Sequence, residues 1–345
     1  MKMERIIYAS DRFCAVEENG RLVEYIPAAG DGGAGRILSG RVDRMMPGLE
    51  AAFVDIGRKK DGFLPLKENS SSFTGGSVRS GDRVLVQIRR EETGTKGAYL
   101  SRDLSIPGSY LILMPMNRHI GISARVQAPE DRERLLRLGQ ELSGGRYGLV
   151  MREAALGQSA EALQKELAAL EERWAGIREG HPEEESAEEE LRRDYLPRGI
   201  ARVERVESLN ADLARQLKEA EGRKIRLPHG GNIIIDRCEA LTVIDVNSAS
   251  DSGEGNRRET VLRTNLEACR EAVIQIRLRN LSGILILDLI DMESEEDRDA
   301  VKKSLEENLR EDRQKTVIHG YTSLGLMEMT RKRSRGSICQ EQHSM

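Results

Sequence analysis

Val243-Ile244-Asp245-Val246-Asn247 and, further along, Gly283-Ile284-Leu285-Ile286-Leu287-Asp288 are two apolar, β-branched runs that carry acid at or near their ends. Alternate residues of a strand share a face, so Asp245 and Asn247 point to the same side. The surroundings read as α/β. Strands are expected over 233–236 and 241–246, then a helix over 259–279 with Leu262, Leu266, Cys269, Val273 and Ile276 along one face. The continuous apolar run at 283–288 predicts a strand buried on both faces. A helix over 295–313 and a strand over 316–319 complete the module, ahead of the basic Arg331-Lys332-Arg333-Ser334-Arg335. Ligands of open α/β sheets sit beyond the carboxyl ends of strands. If the two strands are neighbours, Asp245 and Asp288 converge, with Asp291 close behind. Magnesium suits such a site, because it takes one or two carboxylates, keeps its waters and bridges to a phosphate oxygen. The competing reading is that each Asp caps the loop or helix that follows it. Spacing alone leaves both open.

Upstream the pattern changes. Strands are expected over 5–9 and 21–26, the second after an Asn19-Gly20 turn, and 30–35 is a glycine-rich break. From 36 to about 105, short β-runs recur at 37–42, 51–56, 62–66, 83–88 and 98–101, the signature of a small antiparallel barrel. A strand over 110–114, a helix over 129–142 and a strand over 148–151 follow. A further helix starts near Ser159, with Ala162, Leu163, Leu167, Leu170 and Trp174 on one face. The acidic run 183–190 reads as a solvated helix face or linker.

Composition bounds the function. A chain of 345 residues exceeds one small core and suggests roughly two to four modules. No apolar run approaches the roughly 18–20 residues of a membrane span, and no apolar signal core follows Met1-Lys2-Met3-Glu4-Arg5. Cys14, Cys238, Cys269 and Cys339 are scattered, with no CxxC, which argues against a disulfide framework or a local zinc site and for a reducing cytoplasm. A net charge of −4 excludes a global polycation, though not local basic patches.

Several stretches resemble the ribonuclease E/G family, most closely its shorter, ribonuclease G-type members. They are Glu239-Ala240-Leu241-Thr242 running into the Asp245 strand, Glu259-Thr260, Thr264-Asn265-Leu266-Glu267-Ala268, Arg277-Leu278-Arg279-Asn280-Leu281, Asp288-Leu289-Ile290-Asp291-Met292, and Gly325-Leu326-Met327-Glu328-Met329-Thr330-Arg331. Pro47-Gly48-Leu49-Glu50-Ala51-Ala52-Phe53-Val54-Asp55 and Gly62-Phe63-Leu64-Pro65-Leu66 are equally similar. The resemblance implies an α/β multidomain fold: an S1-type OB-fold barrel inserted in a reduced ribonuclease H-like region, followed by a DNase I-like catalytic module. Its divisions would be N-terminal ribonuclease H-like strands at 1–35, the barrel at 36–107, a 5′-sensor region at 108–180, a shortened ribonuclease H-like or linker segment at 181–232, the catalytic domain at 233–333 and a tail at 334–345.

The implied activity is cytoplasmic, magnesium-dependent endonucleolytic cleavage of single-stranded RNA that leaves 5′-monophosphate ends. The alternative is an RNA-binding relative with weak or no cleavage. By resemblance, Asp245 and Asp288 hold the metal that activates water, and Asn247 orients the scissile phosphate or a neighbouring carboxylate. Phe53, Phe63 and Lys96 contact RNA, whereas Phe73 has no matching role. Arg152, with Lys315, senses the 5′-phosphate. Two departures stand out. Glu153 occupies the position where the family usually has Thr, so it is expected to repel a phosphate or to pair with Arg152. The family's zinc-binding cysteine pair is reduced to Cys339 and His343, so a homodimer stays open but a zinc-linked one is not supported.

Overall fold

In chain order, β1 (Arg5–Ala9), β2 (Phe13–Glu18) and β3 (Arg21–Pro27) form an antiparallel meander. The computed structural model describes residues 4–27, 33–66, 75–92, 96–180, 185–195, 199, 202–248 and 257–332. The Asn19-Gly20 turn between β2 and β3 has φ of 48° and 81°, the positive pair that tight hairpins favour. Sequence pattern does not mark β2. Its residues are nearly all buried, so it lacks the polar alternation of a half-buried strand.

The barrel follows: β4 (Ile37–Met46), β5 (Ala51–Asp55), β6 (Gly62–Pro65), β7 (Arg83–Arg90) and β8 (Tyr99–Ser101), closed in the order β4-β5-β6-β8-β7 around Val42, Val54, Leu64, Val86, Ile88 and Leu100. The barrel is not wholly antiparallel as expected, because β6 and β8 run parallel. Strand directions cannot alternate all the way round a ring of five, so one pair has to be parallel. Beyond it come β9 (Ile106–Pro107), β10 (Leu111–Met114), β11 (Ile120–Ile122), α1 (Pro129–Ser143), β12 (Gly148–Met151), α2 (Ala160–Arg178) and α3 (Ala187–Tyr195). The sheet β11-β12-β10-β9 packs Leu111, Leu113, Leu149 and Met151 against Leu135 of α1 and Leu163, Leu167 and Leu170 of α2. Ser159 caps α2 by accepting from the Ala162 N–H at 3.2 Å. Part of the expected acidic linker is the first turn of α3, where acidic side chains complement the helix dipole. Barrel and sheet together make one compact unit, Gly30–Gly199.

The second unit joins Met1–Ala29 to Ile200–Met345. β13 (Arg202–Arg205) lies parallel to β1, giving the sheet β13-β1-β2-β3, and α4 (Ala211–Glu219) packs on β3. Then come β14 (Lys224–Arg226), β15 (Asn232–Arg237), β16 (Leu241–Asn247), α5 (Arg257–Leu278), β17 (Gly283–Asp288), α6 (Glu295–Leu309), β18 (Thr316–Tyr321) and β19 (Met327–Arg331), in a six-stranded sheet ordered β14-β15-β16-β17-β19-β18. Its core lies between one sheet face and the two helices: Ile233, Ile244, Leu285, Leu287, Met327 and Met329 meet Cys269, Val273 and Ile276 of α5 and Val301 and Leu305 of α6. The expectation that 283–288 is buried on both faces is therefore corrected. Leu285 and Leu287 are fully buried, but Ile284 is 46% exposed, because α5 and α6 both pack against one face. A buried ion cluster ties the unit together. Glu18 of β2 accepts from Arg5 of β1 at 2.9 Å and from Arg277 of α5 at 2.8 Å.

Candidate active site and nucleic-acid interface

β16 and β17 are parallel neighbours, and their register pairs Asp245 directly with Asp288. Thr242, Ile244 and Val246 of β16 are buried, which turns Val243, Asp245 and Asn247 to the face away from the helices. Asp288 leaves the sheet on that same face, beside Ile284 and Ile286. Both carboxylates thus leave the sheet at one place. The Asn247 side-chain amide donates to Asp245 Oδ2 at 2.8 Å, holding that carboxylate in one orientation. The Asp288 carboxyl is raised above its ordinary range, first by desolvation and then by the negative charges of Asp245 and Asp291. Such like-charge crowding is what a divalent cation relieves. Among the described residues no three His, Cys, Asp or Glu side chains group as metal ligands. Two carboxylates, completed by waters and a phosphate oxygen, are nevertheless a sufficient donor set for magnesium. The residues present fit that ion.

A third residue shapes the site from below. Asn265 of α5, fully buried, donates to the Ile290 carbonyl at 2.8 Å and accepts from the Ile290 N–H at 3.0 Å. Its carboxamide grips the backbone two residues beyond Asp288, in the loop that also carries Asp291. Sequence places Asn265 within a family-like motif but gives it no task. Sequence also leaves β14 unmarked, where Ile225 is buried and Lys224 and Arg226 are exposed. Register places Lys224 level with Ile234, which is level with Asp245, and Arg226 level with Asn232, which is level with Asn247. Two cations therefore line the edge strand, two strands from the acids. The local signal for them is a short alternation of charge about one apolar residue.

In the barrel, Phe53 and Phe63 face each other across β5 and β6 with ring centroids 6.0 Å apart in an edge-on arrangement. Neither belongs to the apolar core, which their neighbours Ala52, Val54 and Leu64 fill from the inner face. Lys96 is exposed. It precedes Gly97, where any side chain would collide with the Asp61 carbonyl. Phe73 lies outside the described residues, as do Cys339 and His343.

Arg152, just after β12, is not paired with Glu153. Glu153 is exposed, opens a short 3-10 turn and makes no side-chain hydrogen bond or ion pair among the described residues. The carboxylate at Arg152 belongs to Asp194 of α3, buried and 2.9 Å from Nη2, while Nη1 donates to the Gly108 carbonyl at 2.6 Å. Nearby, Glu166 accepts from the backbone N–H groups of Ser109, Tyr110 and Leu111 at 2.6–2.8 Å. The expected pairing of Glu153 with Arg152 is corrected accordingly: Glu153, at the start of the turn, is exposed, and α3 delivers the acid instead. Lys315, in the other unit, is exposed immediately ahead of β18.

Comparison with known proteins gives consistent matches. The profile of the Ribonuclease E/G family matches residues 105–202 and 193–334. Ribonuclease G of Escherichia coli (strain K12) is 34% identical over 359 aligned positions, which cover 88% of this chain and 73% of the relative. Ribonuclease G of Haemophilus influenzae is 32% identical with the same coverage. Ribonuclease E of Escherichia coli (strain K12) is 36% identical over 89% of this chain, which spans 34% of that longer relative.

Proposed function

The chain belongs to the ribonuclease E/G family, and from that premise we propose that it is a magnesium-dependent endoribonuclease that cuts single-stranded RNA and leaves 5′-monophosphate ends. The observation that carries this reading is the register pairing of Asp245 with Asp288, with Asn247 on the same open face. We read the sheet β14–β19 with α5 and α6 as the DNase I-like catalytic module, the sheet β13-β1-β2-β3 as the reduced ribonuclease H-like part, and the five-stranded barrel as the S1-type OB-fold. We place the reaction in the cytoplasm. No helix among the described residues is long and apolar enough to cross a membrane.

Asp245 and Asp288 would hold the ion, which when bound lowers the pKa of a water and offsets charge on the phosphorane-like transition state. The chain's own residues do the rest. Asn247 spends one amide hydrogen on Asp245 Oδ2, so the carboxylate cannot swing away when a phosphate arrives. Asn265 keeps the loop after Asp288 from drifting. Lys224 and Arg226 offer phosphate contacts along the sheet edge, a sequence-independent and salt-sensitive source of affinity. Phe53 and Phe63 offer flat faces to unpaired bases, each worth about 1–3 kcal/mol by stacking, with Lys96 as a further cation. Arg152 is the residue we assign to the 5′-phosphate.

The test incubates the protein, Asp245→Asn and Asp288→Asn with a 5′-labelled, AU-rich single strand, with and without magnesium. Wild type should cleave only with the ion. Both variants should lose cleavage yet bind RNA nearly as well, because a lost metal ligand removes transition-state stabilisation rather than backbone contacts. Cleavage persisting at near wild-type rate in both variants would refute the metal assignment. Wild-type binding without cleavage under every condition would identify an RNA-binding relative.

A further inference from the structure

The two phenylalanines are the middle of a longer row. Arg44 of β4 is level with Phe53 of β5, Phe53 with Phe63 of β6, Phe63 with Tyr99 of β8, and Tyr99 with Arg90 of β7. One line of side chains, Arg-Phe-Phe-Tyr-Arg, thus crosses all five barrel strands on the outer surface. The Phe53 and Phe63 rings are 6.0 Å apart and the Phe63 and Tyr99 rings 5.9 Å. The Arg44 guanidinium lies 5.1 Å from the centre of Phe53, and that of Arg90 lies 4.3 Å from the centre of Tyr99, both within cation–π range.

Both ends of the row depend on a break in strand periodicity. Val42 and Ile88 point into the barrel, so simple alternation would send Arg44 and Arg90 inward as well. The register shifts between Val42 and Arg44 and again between Ile88 and Arg90. Each irregularity adds a residue and turns the arginine outward, the way bulges re-aim side chains at functional surfaces. Burying a guanidinium among Val54, Leu64 and Leu100 is thereby avoided, and a cation arrives at each end of the aromatic row.

We propose that Tyr99 is a third stacking platform for single-stranded RNA, and that Arg44 and Arg90 bracket the row by holding phosphates, so that it seats three consecutive nucleotides of one unpaired strand. This rests on the reading of the barrel as an RNA-binding surface. Adjacent aromatic residues on neighbouring strands serve other small β-folds in the same way, each ring taking one base. The ring spacing adds selectivity. Stacked bases in a duplex rise about 3.4 Å per step. Rings nearly 6 Å apart can each take a base only if those bases have come away from one another. The row therefore favours an unpaired, extended strand over a duplex.

The experiment measures binding of fluorescein-labelled oligouridylates, three to twelve nucleotides long, to the full chain in EDTA, where cleavage is absent. A double-stranded RNA serves as comparison. Tyr99→Leu keeps apolar bulk but removes the ring, Tyr99→Phe keeps the ring, Phe63→Ala probes the central platform, and Arg90→Gln removes an end charge. Tyr99→Leu should weaken single-strand binding on the order of 5- to 100-fold with an unchanged melting temperature, while Tyr99→Phe binds as wild type. Arg90→Gln should reduce the salt slope by about 0.7. Duplex binding should be weak throughout and insensitive to Tyr99. Wild-type affinity in Tyr99→Leu alongside a loss in Phe63→Ala would overturn the third platform and leave the barrel as the binding surface. Wild-type affinity in both would overturn the inference and the barrel reading together.

Discussion

Replacing Asn265 by Ala removes one carboxamide and tests whether the catalytic loop is held from underneath. The side chain is fully buried and makes two hydrogen bonds, at 2.8 and 3.0 Å, to the backbone C=O and N–H of Ile290. Each such bond is worth about 1 kcal/mol net, and slightly more where its loss strands a partly buried backbone group. Two bonds therefore come to about 2–3 kcal/mol, from which the better helix propensity of Ala returns about 0.6 kcal/mol. A net loss of about 2 kcal/mol is expected in urea unfolding. The effect on cleavage should exceed what the stability loss explains. Ile290 lies between Asp288 and Asp291, and a catalytic group displaced by about 1 Å can lose about 100-fold in rate. Single-turnover cleavage of a single-stranded RNA, under conditions where the variant is fully folded, should fall about 10- to 100-fold with little change in RNA affinity. The neighbouring Thr264→Val provides the control, because among the described residues the Thr264 hydroxyl bonds only the Thr260 carbonyl of its own helix, at 2.8 Å. That variant should cleave normally. Full cleavage by folded Asn265→Ala would show that other contacts place the Asp288 loop and would refute the positioning role. An unchanged unfolding free energy would refute the strength assigned to the two bonds.

The pocket around Arg152 should discriminate weakly between 5′-monophosphate and 5′-hydroxyl RNA, because Asp194, which Arg152 shares with Arg193, already offsets part of the guanidinium charge. Asp194→Asn should raise the preference several-fold while Glu153→Thr changes nothing, and a strong wild-type preference that Asp194→Asn abolishes would show that Asp194 orients Arg152 instead. Acid should unfold the second unit early. Burial opposes ionisation of Glu18, but Arg277 and Arg5 hold its carboxyl below the ordinary range, and Arg331 does the same for buried Asp312. A depressed carboxyl stabilises the fold fully above its unfolded pKa, about 4, and loses that contribution as pH falls through the folded value. Urea titrations from pH 7 to 3 should show this decline. Glu18→Gln should be destabilised by about 3–5 kcal/mol at pH 7, since it removes a buried carboxylate that both Arg277 and Arg5 bond, Arg5 keeping its bond to Glu311, and should decline less on acidification. A parallel decline in both proteins would refute the assignment to Glu18.

Much of the molecule is legible in the sequence, for a local reason. The apolar stripes of α2 and α5, the barrel strands and the Asn19-Gly20 turn depend on neighbours within a few residues, so the sequence itself displays them. The position of acid at strand ends is also local, and it is enough to single out Asp245 and Asp288. Whether the two meet is not local. Parallel neighbours joined by a long helix take their register from a core that Ile244, Leu285 and Val273 build together. The same holds for β19, which inserts between β17 and β18, and for the one-sided burial of β17. A continuous apolar run reads alike whether helices cover one face or both. Asp194 reaches Arg152 from a helix more than forty residues away in sequence, and no spacing rule connects them. The strand irregularities that turn Arg44 and Arg90 outward follow from pairing with other strands, where one extra residue reverses the face of all that follows. Periodicity and residue type thus determined most of the elements and the chemistry each one carries. Only the packing of distant segments, which no local pattern encodes, decided which of those groups stand together.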